Sequence, residues 1–365
     1  MSHKLMVIVG ARPNFMKAAP LMRQLHKHKD QFEVTFIHTG QHYDHKLSQL
    51  FFDQLGLPKP DINLGVGSGS HAEQTSKIMI ELEKLMLTSP PDLAIVFGDV
   101  NSTMATALVT SKLHIKLAHV EAGLRSYDKK MPEEINRIVT DRLSDLLFIS
   151  EPSGTKNLLD EGVDKNKMFF VGNIMIDSLI ANLEASKNSD ILEKLNLKPQ
   201  SYVAMTLHRP ANVDNKEIFS NLLKVIEEIG AKIPVVFPCH PRTTKELSRF
   251  GLIENINKNA LRIIEPLGYL DFLKLQSSCK FVLTDSGGIQ EETTYLQIPC
   301  ITLRNNTERP VTADEGSNVI VGVDSDKIRA AAMQILDNKF KAGRIPDLWD
   351  GHTAERIVDV LLDKL

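Results

Sequence analysis

Cysteine is scarce in this chain: Cys239, Cys279 and Cys300 are the only three in 365 residues. Three widely spaced thiols exclude a disulfide scaffold and supply no paired zinc motif. They suit a reducing cytoplasm, as buried small hydrophobes. Long apolar runs are missing too. No stretch reaches 18 apolar residues, so no membrane span is expected. Met1-Ser2-His3-Lys4 leads directly into Leu5-Met6-Val7-Ile8-Val9, a run too short for a signal-peptide core and without a small-residue cleavage site. Neither sign of charge is in excess. A net charge of −3 argues against a general binder of nucleic acid or of membrane surfaces. It leaves room for a local basic site that takes an anionic small molecule.

Several signature motifs are absent as well. Gly65-Val66-Gly67-Ser68-Gly69-Ser70 is rich in glycine, but no Gly-Lys-Ser/Thr follows it and only a weak strand, Pro60 to Leu64, precedes it. It reads as a flexible loop rather than a phosphate loop. The first strand leads into Gly10-Ala11-Arg12-Pro13-Asn14, which is not a dinucleotide fingerprint. There is no Gly-x-Ser-x-Gly elbow. His38, His42 and His45 share a loop but lack the i, i+4 helical pair of a zinc hydrolase. No metal and no cofactor are expected.

What is present is an alternation. Strand-like runs in the first half are Met6–Val9, Val34–Ile37, Leu93–Phe97, Lys116–Val120, Asp145–Ile149 and Met168–Val171. In the second half they are Tyr202–Thr206, Val235–Phe237, Arg262–Ile264, Phe281–Thr284, Cys300–Leu303 and Val319–Val321. Stretches of helical periodicity separate them, such as Met16–Lys27, Ala72–Leu87, Ser102–Lys112, Ile218–Ile229 and Gln290–Leu296. Strands alternating with helices imply βαβ units and parallel sheets. The expected fold class is α/β, with two doubly wound Rossmann-like domains facing a central cleft. Residues 1–172 form the expected first domain and 173–351 the second, with the switch somewhere between Gly172 and Ser201. His352 to Leu365 reads as a final helix.

Polar clusters close several strands, and in open parallel sheets ligands bind at the carboxyl ends. Phe281–Thr284 ends at Asp285-Ser286-Gly287-Gly288-Ile289-Gln290-Glu291-Glu292. Glycines at a helix N-terminus let backbone N–H groups approach a phosphate. Glu292, about a turn further, is placed to accept from ribose hydroxyls. A plain strand–turn–helix connection would also favour glycine there. Basic residues follow other strands: Arg12 and Lys17, His208 and Arg209, His240 and Arg242, Arg304 and Arg309. Each alone is most often a solvated charge; together they suit a diphosphate. Acids end the other runs. Asp99 follows Phe97-Gly98, Glu121 follows Val120, and Glu133-Glu134 follows Pro132. Grouped carboxylates can trade protons, although Asp99 could equally cap the helix starting near Asn101.

In this order these residues resemble the UDP-N-acetylglucosamine 2-epimerase family. The segments that carry the resemblance are Gly10-Ala11-Arg12-Pro13 with Lys17, Thr39-Gly40-Gln41-His42, Phe97-Gly98-Asp99 and His119-Val120-Glu121-Ala122-Gly123-Leu124-Arg125. Pro132-Glu133-Glu134-Ile135-Asn136-Arg137, Gly172-Asn173 with Asp177, Leu207-His208-Arg209, Thr284 to Glu292 and Thr307-Glu308-Arg309-Pro310 complete it. The resemblance implies the GT-B architecture, with the C-terminal helix crossing back to the first domain. It implies a homodimer and reversible C2 epimerisation of a UDP-sugar. By the same resemblance, Asp99, Glu121 and Glu133 are the proton-transfer acids, His208 lies near the diphosphate, and Lys17 and Arg137 support them. Arg12, Ser286, Gly287, Gly288, Glu292 and Arg309 are UDP ligands, and Phe272 matches the aromatic residue beside uracil.

Two positions and one stretch depart from the family pattern. Asn14 stands where many members have Glu, the stretch 126–131 differs, and Asp44 replaces the second Gln of a pair, beginning at Gln41, that binds an activating nucleotide sugar in some members. A modified sugar such as a 2,3-diacetamido uronate, a hydrolysing relative that releases N-acetylmannosamine, and a GT-B glycosyltransferase are the competing readings.

Overall fold

The computed structural model describes residues 2–40 and 56–365. Contacts divide the chain into two compact units, Met1–Ala181 with Asp347–Leu365, and Asn182–Pro346. Each holds one parallel sheet with helices packed on it, which is the α/β class that the alternation implies.

In the first unit the strands are β1 (His3–Val9), β2 (Phe32–His38), β3 (Ile62–Asn63), β4 (Leu93–Phe97), β5 (Lys116–Ala122), β6 (Leu146–Ile149) and β7 (Met168–Phe170). Their order across the sheet is β3-β2-β1-β4-β5-β6-β7. All five residues of β4 are buried, so its side chains are covered on both faces. That is why the run is continuously apolar instead of alternating. β3 was legible only as a weak strand. It pairs Ile62 with Ile37 and Asn63 with His38, and Asp61 accepts the Phe36 N–H at 2.7 Å. The glycine-rich stretch after it leads to Ser70, whose side chain accepts the Glu73 N–H and caps the helix His71–Thr88.

The second unit contains β8 (Val203–Thr206), β9 (Val235–Pro238), β10 (Leu261–Ile264), β11 (Phe281–Thr284), β12 (Cys300–Thr302) and β13 (Asn318–Ile320). Their order is β10-β9-β8-β11-β12-β13. The helix Lys216–Gly230 shows how the flanking layers form. Asn215 caps it through the N–H groups of Glu217 and Ile218, and Phe219, Leu222, Leu223, Ile226 and Ile229 lie buried along one face. Each such side chain contributes roughly 1.5–3 kcal/mol by leaving water.

Both sheets reverse strand order once at their middle, between β1 and β4 in the first and between β8 and β11 in the second. A doubly wound sheet opens a crevice at that point, at the carboxyl ends of the strands. β1 and β4 lead into Gly10-Ala11 and Gly98-Asp99; β8 and β11 lead into His208-Arg209 and Asp285-Ser286-Gly287.

The last segment is built into the first unit. Trp349 is buried and donates its indole N–H to the Ser150 carbonyl at 3.0 Å. Asp177 accepts the N–H groups of Thr353 and Ala354 at 3.2 and 2.8 Å, so a distant carboxylate caps the helix Thr353–Lys364. That helix packs on Arg12–Lys27. The division between the units falls inside the helix Ile174–Lys187, because Ser178 donates to the Met16 carbonyl. Among the described residues no helix is long and apolar enough to cross a membrane.

Candidate active site

At the first switch point the turn after β1 is tied to the end of β4 by one amide. Asn14 is buried; its Oδ1 accepts the N–H groups of Gly10 and Ala11, both at 3.2 Å, and its Nδ2 donates to the Phe97 carbonyl at 3.0 Å. A glutamate here could accept the first two bonds but could not donate the third. One helical turn on, Lys17 forms an ion pair with Glu121, and both side chains are buried. Glu121 sits where the β5–β6 register shifts, with φ at +73°. A bulge re-aims a side chain, and the left-handed backbone stores strain of about 1–3 kcal/mol of the kind that gathers at functional sites. Gly98, with φ +59°, completes the group. A Cβ there would lie 2.8 Å from Lys17 Nζ and 3.3 Å from Glu121 Oε2, so the packing of the ion pair requires glycine.

Asp99 is half-buried and pairs with Arg137 of the helix Pro132–Leu143. It does not cap the following helix, whose N-cap is Val100 with no side-chain bond. Arg137 also holds Glu134 at 2.8 Å, and Asn136 donates to the Asp99 carbonyl at 2.8 Å. Glu134 is the buried member of the Glu133-Glu134 pair. It accepts from Ser126 N, Ser126 Oγ and Tyr127 N, each at 2.9 Å. Burial would raise its carboxyl, but these bonds and Arg137 outweigh it and hold the group below the usual range. Glu133 stays half-buried in the first helical turn, where a negative charge suits the helix dipole. Among the described residues, the Arg137 network takes Glu134 and not Glu133.

At the second switch point Asp285 is the organiser. It is fully buried and accepts the N–H groups of His208 and Arg209 at 3.0 and 2.8 Å, and the Asn212 amide at 3.1 Å. Its Oδ1 lies 3.1 Å from His208 Nδ1. Burial alone would raise the Asp285 carboxyl; His208 and the two N–H groups hold it low. Ser286 is the N-cap of the helix Gly287–Tyr295. A Cβ on Gly287 would meet Arg309 Nη1 at 2.6 Å, so the glycine admits the guanidinium. Glu308 gathers the basic residues: it pairs with Arg304 at 2.7 Å and Arg309 at 2.5 Å, and Arg209 lies 3.9 Å away. Arg309 Nε also meets Glu291 at 2.7 Å. Arg242 instead pairs with Asp214 on the surface, and the His240 ring lies tilted, 6.5 Å from that of His208. Phe272 is half-buried on the helix Tyr269–Ser278.

Glu292 is buried and accepts from the Tyr269 hydroxyl at 3.2 Å. Burial pushes its carboxyl up to about 7, against that hydrogen bond. The folded chain therefore keeps a proton there that the unfolded chain gives up. The stabilising contribution is complete below the unfolded pKa of about 4.3 and is lost as pH rises through about 7, on the order of 3 kcal/mol in all. Glu292→Gln should accordingly match the wild type at pH 5 and melt above it at pH 8. An equal melting difference at both pH values would show that Glu292 does not titrate in this window.

His38 is buried with its ring 5.1 Å from Phe15; Gln41, His42, Asp44 and His45 lie outside the described residues. Arg12 opens its helix. Among the described residues no group of three or more His, Cys, Asp or Glu side chains could hold a metal ion. The sequence places Asp285, Glu291 and Glu308 in motifs, Asn14 at a departure from the family pattern and Glu134 beside Glu133, without giving any of them these partners. Only Asp285 carries a local signal, as a polar residue directly beside the apolar strand β11.

Two doubly wound units, each with charged side chains gathered at its switch point, place the protein among α/β enzymes built from paired Rossmann-like sheets. The family model for UDP-N-acetylglucosamine 2-epimerase matches residues 23–362. A UDP-N-acetylglucosamine 2-epimerase from Methanocaldococcus jannaschii is 45% identical over 364 residues, 98% of each chain. The crystal structure of the enzyme from that organism in complex with UDP-GlcNAc and UDP matches at a TM-score of 0.91 and 44% identity, covering 99% of both chains. A UDP-2,3-diacetamido-2,3-dideoxy-D-glucuronate 2-epimerase from Pseudomonas aeruginosa is 39% identical over 337 residues, 91% of this chain and 92% of that protein. The chain belongs to the UDP-N-acetylglucosamine 2-epimerase family.

Proposed function

We propose that the protein interconverts UDP-N-acetylglucosamine and UDP-N-acetylmannosamine by inverting C2 of the sugar. A base removes the C2 proton while the C1–oxygen bond to UDP breaks. The products of this anti elimination are 2-acetamidoglucal and UDP. UDP then re-adds at C1 while C2 takes a proton on the opposite face. The C2 proton is weakly acidic, so the step needs a placed base and a stabilised leaving group. Asp99, Glu121 and Glu133 are the proposed proton-transfer groups. Lys17 pairs with Glu121 and Arg137 with Asp99, so each carboxyl is held in place by a cation.

For the diphosphate we assign the backbone N–H groups of Gly287 and Gly288, the Ser286 hydroxyl, Arg12 and Arg309, with His208 beside them. Glu292 would take the ribose hydroxyls and Phe272 the uracil. The observation that carries this reading is the whole-length likeness to a relative solved with UDP-GlcNAc and UDP bound. The proposal includes a cytoplasmic homodimer, on the family resemblance alone; a solution mass of one chain would remove the dimer.

The likeness to the Pseudomonas aeruginosa enzyme favours a second reading, in which the sugar is a 2,3-diacetamido uronate. Proton NMR in heavy water decides between them. With UDP-N-acetylglucosamine the H2 signal should vanish as UDP-N-acetylmannosamine appears. Free N-acetylmannosamine with UDP would mean hydrolysis, and no change would reject the proposal for this sugar. Faster exchange on the UDP-diacetamido uronate would establish the second reading.

A further inference from the structure

We propose that His119 is a positioning residue for the two acids at the first switch point, acting through backbone it holds and anchored by Asp141. This rests on the function proposed above. His119 lies in β5 and is fully buried, as is Asp141 on the helix Pro132–Leu143. Its Nε2 is 2.7 Å from the Gly98 carbonyl and its Nδ1 is 2.6 Å from Asp141 Oδ1. A carbonyl only accepts. Burial would raise the Asp141 carboxyl, but His119 and Arg125 hold it low, so it is a carboxylate and also only accepts. Both ring nitrogens must therefore donate, and the ring bridges the two oxygens as a cation.

The consequences run to both acids. Gly98 has a left-handed backbone and immediately precedes Asp99; the bond from His119 sets the plane of the peptide that joins them. The second Asp141 oxygen accepts the Gly123 N–H at 3.1 Å, two residues beyond the strained Glu121. The same oxygen accepts from Arg125 Nη1 at 2.6 Å, and Arg125 in turn donates two bonds to Glu161 at 2.7 and 2.8 Å. One carboxylate thus ties down the chain beside each acid. Asp141 also lies one helical turn from Arg137, the partner of Asp99, so one helix face supplies both restraints. Acid–base groups tolerate misplacement of about 0.5 Å, and a shift near 1 Å can cost roughly a hundredfold in rate.

The test compares two amides. Glutamine places its N–H₂ near the position of histidine Nε2 and can still reach the Gly98 carbonyl. Asparagine places its N–H₂ near Nδ1 and reaches only Asp141. His119→Asn should lower kcat for C2 exchange roughly 10–100-fold, up to the cost of a shift near 1 Å in a reacting group, with KM and UDP affinity unchanged. His119→Gln should recover most of that loss. Equal kcat in the two variants, or losses that follow their melting temperatures, would overturn the proposal. Nitrogen-15 spectra of wild-type His119 supply a readout free of turnover and of variant folding: both ring nitrogens should carry protons, and a bare nitrogen would also overturn it. A wild type that exchanges neither sugar would reject the proposed function while leaving the ring spectra to decide this one.

Discussion

Asp99→Asn should lower C2 hydrogen exchange at least about a hundredfold, the scale of a lost acid–base group, while UDP affinity stays unchanged. The substitution keeps shape and removes charge. It is structurally mild because Arg137 retains Glu134 at 2.8 Å, so the guanidinium is not left alone in the interior. Asn136 donates to the Asp99 carbonyl, not to the carboxylate, and the backbone at this position keeps its support. Stability should therefore fall by no more than about 1 kcal/mol, as for a partly exposed pair. Isothermal calorimetry with UDP, thermal melting and deuterium uptake at C2 separate the three quantities. Wild-type exchange in the variant would remove Asp99 from the chemistry.

Lys17→Met should be strongly destabilising. Lys17 and Glu121 are both buried. Taking away one member of a buried pair leaves the other charge without compensation and costs about 3–5 kcal/mol. Exchange should also fall, because Glu121 would lose the cation that holds it in place. The double variant Lys17→Met with Glu121→Gln should regain much of the stability and none of the activity, since both charges are then gone. That contrast distinguishes an ion pair kept for chemistry from one kept for folding. Equal melting of Lys17→Met and wild type would mean the pair is not formed in solution.

Much of the architecture was readable from pattern alone. β4 and β11 are short apolar runs closed by Gly98-Asp99 and Asp285-Ser286, and period and length suffice to mark them as buried strands. β3 shows only as a weak strand because two residues carry almost no periodicity; it exists through its pairing with β2. The choice between Glu133 and Glu134 was equally hidden. Adjacent helical residues differ by about 100° in direction, and only packing against Ser126 and Arg137 decides which one is buried. Glu308 was read as part of a motif, yet its role comes from three arginines that lie 4, 1 and 99 positions away in the chain.

By itself the amino-acid order determined the α/β class, the sites where strands end and the residue types available at those ends, because these depend on local periodicity and turn chemistry. Tertiary structure alone decided which distant charges meet: Lys17 with Glu121, Arg137 with Asp99, and Arg309 with Glu291. Such pairings depend on strand order and on which helix face is covered, and neither is a property of neighbouring residues in the chain.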